Sequence, residues 1–121
     1  MEFSFVDDDR FVWARLSGQW TLDKMEFLLE AILEECGRRN QEDVLIDFTG
    51  VGNEKLSFFE RVRMGLGILR LKGKLGKVAV AGPSQLIDRE KIGERLARNR
   101  GLNLLVFSDL DAAQRWLVER P

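Results

Sequence analysis

"VLIDFTGVGNEKLSFFERVRMGLG" occupies residues 44–67. Its first residues form a short apolar run broken only by Asp47, the pattern of a central strand covered on both faces. A polar loop follows over residues 51–56. Ser57 and Glu60 then stand three apart at the start of an apolar repeat, which is the capping-box signature of a helix N-terminus. Phe59, Val62, Leu66 and Leu69 recur at helical spacing and predict a second helix over 58–71 with those residues facing inward. Gly65 and Gly67 lie inside it, each costing about 1 kcal/mol relative to alanine. Strand, loop and helix in this order make one unit of an α/β sheet.

The same pattern extends in both directions. "FSFVDDDRFVWARLSG" alternates apolar and polar residues around an acidic turn, which predicts a β-hairpin with strands at Glu2–Val6 and 10–17. Thr21 offers a helix cap, and Met25, Leu28, Leu29, Ile32, Leu33 and Cys36 form an apolar stripe over 22–39. Gly37 and the "RRN" of residues 38–40 weaken and close that helix, the basic residues suiting its C-terminus. Beyond the second helix, "KVAVAG" predicts another buried strand. A basic third helix turns Ile92 and Leu96 inward and stops at Gly101. "NLLVFS" is the last strand, and Ser108 with Asp111 predicts a capping box for a fourth helix carrying Leu110, Ala113, Trp116 and Leu117 on its apolar face. The element order β-β-α-β-α-β-α-β-α predicts a single α/β domain over residues 1–121. Its core is a single-layer mixed, mainly parallel five-stranded sheet flanked by four helices.

Composition narrows the chemistry. The chain has 121 residues, 45% hydrophobic and 32% charged, as expected of a globular domain. It contains no histidine, which removes Ser-His-Asp and Cys-His machinery and the commonest zinc and iron sites. One cysteine forms no intrachain disulfide, and on the apolar stripe it reads as a packed thiol. No apolar run reaches spanning length, so no stable membrane insertion is expected and a cytoplasmic protein is. The net charge of −1 hides an asymmetry. Residues 1–54 hold 13 acidic and 5 basic side chains, whereas 55–100 hold 4 acidic and 12 basic ones. Such blocks suit an acidic partner, an anionic headgroup or self-association of opposed faces. With no interleaved aromatics and no recognisable motif, nucleic acid is not an expected partner.

In open α/β sheets ligands gather at the carboxyl ends of strands. Here those ends are Phe48-Thr49-Gly50, Gly82-Pro83-Ser84 and Ser108-Asp109. The first leads into the longest loop, so the candidate regulatory and interaction residues are Asp47, Thr49, Asn53, Glu54, Lys55, Ser57 and Arg61. Ser57 serves as a helix cap. A phosphate there would also be stabilised by the helix dipole, with Lys55 and Arg61 near enough to pair. Other signals fail on spacing. "GILRLKGK" has one residue too many between its glycines for a phosphate loop and lacks the Ser/Thr. Asp7-Asp8-Asp9 lacks the spacing and turn glycine of a calcium loop. The residues give no catalytic group, cofactor or metal site.

Taken together, the element order, "VLIDFTGV" leading to Ser57, "GKVAVAG" and "GLNLLVFSDLDAAQRWL" resemble the STAS superfamily, in particular its SpoIIAA-like group, whose fold is related to CRAL-TRIO lipid-binding domains. The resemblance spans nearly the whole chain. It implies a non-enzymatic regulatory module of the anti-anti-sigma kind, acting through a protein partner. Ser57 falls on the serine that such domains present for phosphorylation, while Lys55, Leu56 and Phe58 stand where the family motif has Asp, Ser and Gly. The fold relationship also implies an alternative, a carrier or sensor of a lipid-like or other apolar or anionic small ligand. The N-terminal strand and the opposed charge blocks could further support a homodimer.

Overall fold

The computed structural model describes residues 2–19, 21–51, 63, 65–71, 73–82 and 92–119. Five strands, β1 (Glu2–Val6), β2 (Val12–Gly18), β3 (Val44–Val51), β4 (Val78–Ala81) and β5 (Leu104–Phe107), lie side by side in sequence order. β1 and β2 are antiparallel, and every later pair is parallel. The helices are α1 (Leu22–Arg39), α2 (helical at 63 and 65–68, tightening into a 3₁₀ turn at Leu69–Leu71), α3 (Ile92–Asn99) and α4 (Leu110–Val118). Among the described residues no helix is long and apolar enough to cross a membrane. The α/β class, the mixed sheet and its strand directions are those the sequence predicts.

Strands that advance one place at a time, always in the same direction, need crossovers that all pass over one face, because parallel crossovers are right-handed. The buried residues divide accordingly. On the first face Val12, Ala14 and Leu16 of β2 and Val44, Ile46 and Phe48 of β3 meet Met25, Leu28, Leu29 and Ile32 of α1, with Ile68, Leu71 and Ala97 in the same cluster. On the second face, among the described residues, Phe11, Leu45, Ala79 and Ala81 meet Ala113 and Leu117 of α4, with Leu110 and Trp116 packed against them. Alternation along the strands produces the division, since neighbours such as Ile46 and Leu45 point to opposite sides. The alanines at 79 and 81 lack bulk, which lets α4 lie close over β4.

Several ends differ from the sequence expectation. β2 starts at Val12, two residues late, because Arg10 is used in the turn: its N–H and guanidinium both donate to Asp8. That bond holds the Asp8 carboxyl below its usual range and Arg10 above its own. Thr21 occupies the N-cap of α1 without a side-chain capping bond. The far end of α1 falls where the sequence puts it: the helix closes after Arg39 at Asn40, which takes the left-handed conformation at φ 54°. Asp109, not Ser108, caps α4, its carboxylate accepting from the Asp111 N–H at 3.0 Å. An anion suits that end because the helix dipole presents partial positive charge there.

Burial also corrects two helices. Leu66, expected inside, is 43% exposed, while Ile68 and Leu71 are buried. Leu71 lies in the 3₁₀ turn that ends the helix, where a single helical repeat no longer holds. In α3 the wholly buried side chain is Ala97, and Leu96 is half-buried. The Phe59 and Val62 positions, Trp20 and the side chain of Ile92 lie outside the described residues.

The other end of α4 is held by Lys77, which precedes β4. Its Nζ donates to the carbonyls of Trp116 and Glu119, each at 2.8 Å, and lies 5.3 Å from the centre of the Trp116 ring. A cation there satisfies carbonyls the helix leaves unpaired and opposes the dipole. Lys77→Met keeps most of the stem and removes these bonds. It should lower unfolding stability by about 1–2 kcal/mol in urea denaturation.

Candidate functional site

β3 carries one extra residue at its carboxyl end. Arg15 of β2 pairs with Asp47 and Ser17 pairs with Gly50, so two residue steps on β2 match three on β3. Such a bulge takes an N–H out of the ladder. Thr49 N–H donates to Asp47 Oδ1 at 2.9 Å, and the Thr49 hydroxyl donates to the same oxygen. Glycine is required in this bend, because a Cβ on Gly50 would stand 2.8 Å from the Leu16 carbonyl oxygen. On the neighbouring strand, a Cβ on Gly82 would meet Phe48 at 2.9 Å.

Asp47 has no exposed surface. Its other oxygen, Oδ2, accepts from Trp13 Nε1–H at 2.9 Å and faces Arg15 Nε at 3.4 Å. The Arg15 guanidinium lies over the Trp13 ring, 5.0 Å from its centre. Burying an isolated carboxylate costs several kcal/mol. Four donors, one of them cationic, offset that cost and leave no lone pair facing solvent for proton transfer. Asp47 is therefore an anchor. It ties the bulge of β3 to β2 and fixes which groups the sheet presents at its carboxyl edge.

Those groups line a shallow groove of about 280 Å³ formed by Glu2, Phe3, Ser4, Arg15, Leu16, Ser17, Thr49 and Gly50. Arg15 is half-exposed and held flat by its indole and carboxylate neighbours. Of the residues singled out in the sequence, Asp47 and Thr49 are brought together here. Asn53, Glu54, Lys55, Ser57 and Arg61 lie outside the described residues. Sequence reading missed Trp13 and Arg15. Their signal was the alternation of β2, which puts positions 13 and 15 on one face, but only the parallel register with β3 aims that face at Asp47.

Cys36 is buried in the α1 cluster. Burial, aided by the neighbouring Glu35 carboxylate, pushes its thiol up to about 11. Among the described residues no group of three or more Asp, Glu or Cys side chains is arranged to hold a metal ion.

With the fold and the rim defined, comparison with known proteins adds no relative: no family model, curated protein or solved structure matches the chain.

Two outcomes test this geometry. Asp47→Ala strands the part-buried Trp13 and Thr49 donors and leaves the half-exposed Arg15 without its carboxylate, and should cost about 1–3 kcal/mol in denaturant unfolding. Thr49→Val loses only one bond pair and should cost about 1 kcal/mol. For Cys36, a thiol raised in the folded state favours folding while it stays protonated. That contribution is complete below the unfolded value near 9 and fades as pH climbs towards 11. Folded protein at pH 8 should resist iodoacetamide, and denatured protein should react at once.

Proposed function

We propose that the protein is a non-enzymatic regulatory module that reads a protein partner through the carboxyl rim of its sheet, in the manner of the anti-anti-sigma (STAS) domains its sequence resembles. One observation carries this reading: the carboxylate at the centre of the rim is wholly buried and saturated by four donors. A group so engaged positions its neighbours and does not react. Around it stand exposed Ser17, Thr49 and Gly50 and a half-exposed arginine, a mixture suited to hydrogen bonding with a partner. The rim also lies where β3 leads towards the longest loop expected from the sequence, the customary place for recognition.

A second reading, a carrier or sensor of a lipid-like or anionic ligand, draws on a different groove. Met25 and Leu29 of α1 and Leu66 and Gly67 of α2 line it, with Glu26, Arg63 and Arg70 around them. Apolar walls with basic side chains suit an acyl chain bearing an anionic head. Its volume of about 200 Å³ is smaller than the roughly 300–1,000 Å³ usual for drug-sized ligands, which ranks this reading second.

The two readings separate in one set of measurements. Affinity capture with the wild type, Ser17→Arg on the rim and Glu34→Gln on the outer face of α1 should retain one protein with the wild type and Glu34→Gln and lose it with Ser17→Arg. Purified components should then bind with the same ranking. Equal capture by all three would discard the rim as the reading surface. Bound lipid in native mass spectra of the purified protein, lost on Leu66→Asp, would favour the carrier.

A further inference from the structure

The sheet has two edges, and they are treated differently. At β5 the outward-facing groups of Leu104 are occupied by the chain itself: its N–H donates to the Leu102 carbonyl at 3.0 Å, and its carbonyl accepts from Arg98 NH1 at 3.2 Å. At β1, among the described residues, the main chain bonds only to β2. β1 also lacks the usual protection of an exposed edge, having no lysine, no proline and no bulge between Glu2 and Val6.

We propose that β1 is a self-association surface, pairing antiparallel with β1 of a second copy about a two-fold axis at Ser4. The segment reads Glu-Phe-Ser-Phe-Val and is nearly palindromic. Centred on Ser4, each Phe3 stands opposite the partner's Phe5, and Glu2 stands opposite the partner's Val6. Phe3 and Phe5 lie across from Leu16 and Ala14, so both rings are on the α1 face. They are only half-buried and already meet edge to face, with centres 6.1 Å apart and planes at 75°. Pairing would join the two rings of each copy into one cluster and cover the ring surface that β2 and α1 leave open. Cross-strand aromatic pairs of this kind are among the stabilising ones.

Other registers do worse. A shift of one residue turns the phenyl rings of one copy towards the wrong face of the other. A shift of two either sets Phe3 opposite Asp7 or shortens the ladder. Ser4 sits on the axis with its hydroxyl on the opposite face, exposed and uncharged, so nothing there opposes its own image. The product is a closed isologous dimer with one continuous sheet of twice five strands.

Ser4 provides the test, because its side chain leaves the core and the β1–β2 ladder untouched. Sedimentation equilibrium between about 1 µM and about 1 mM, where a small interface dissociates, should show a concentration-dependent monomer–dimer equilibrium. Ser4→Lys and Ser4→Glu each place like charges opposite one another and should weaken the dimer about fivefold or more, with thermal melts near the wild type. Mixed in equal amounts, the two variants should form a heterodimer tighter than either homodimer. Ser4→Cys should crosslink under mild oxidation, the native Cys36 being buried. A wild type that stays monomeric across the range overturns the proposal. So does a dimer that neither charge variant weakens, or a mixture that gains nothing over its components.

Discussion

Each crossover from β2 to β5 steps to the adjacent strand in the same direction, and right-handed crossovers taken in one direction pass over the same side. Three helices therefore share one face of the sheet. Among the described residues the other face has only α4, a helix of nine residues placed after β5. Much else derives from this imbalance. α4 must lie close, so β4 offers it alanines. Its ends must be secured, so Asp109 holds one and Lys77 the other. Its packing is mainly against β3, β4 and β5. Arg15 stands on the same side, over β2 and half-exposed.

The succession of strands and helices along the chain was legible because it rests on local periodicity. β3 announces itself as an apolar run, and α1 as an apolar stripe whose bounds, Leu22–Arg39, the structure reproduces. Ends were less legible because more than one residue can serve. Ser108 and Asp109 are both good caps, and only the approach of the chain to α4 decides between them. The end of α1 was more legible, since the stripe continues to Cys36 and holds that turn against the core, leaving Asn40 to close the helix. Leu71 was illegible for a different reason: the helix tightens into a 3₁₀ turn at Leu69, so one helical period does not carry through to it.

The rim shows where reading a sequence stops. Asp47 could be singled out as the one charge in a buried strand, and Thr49 as its neighbour at the carboxyl end. Trp13 and Arg15 are more than thirty residues away along the chain, and their role depends on a strand register. The bulge at Thr49 is equally non-local. It is stabilised by a side chain two residues earlier and permitted by a glycine that must clear a carbonyl on another strand. A buried acid in a sequence without histidine suggests an active group, but its donors make it a structural tie.

The arrangement of α4 also bears on how the chain emerges during synthesis. While β1 to β5 are being made, the side bearing Phe11, Leu45, Ala79 and Ala81 lacks the one helix that covers it among the described residues, because α4 is encoded after the last strand. The nascent chain thus passes through a stage with one finished layer and one greasy bare sheet, the kind of surface that sticks to other chains or recruits a chaperone. Docking of α4, and of Leu117 with it, is therefore the step that closes this side and ends the exposure.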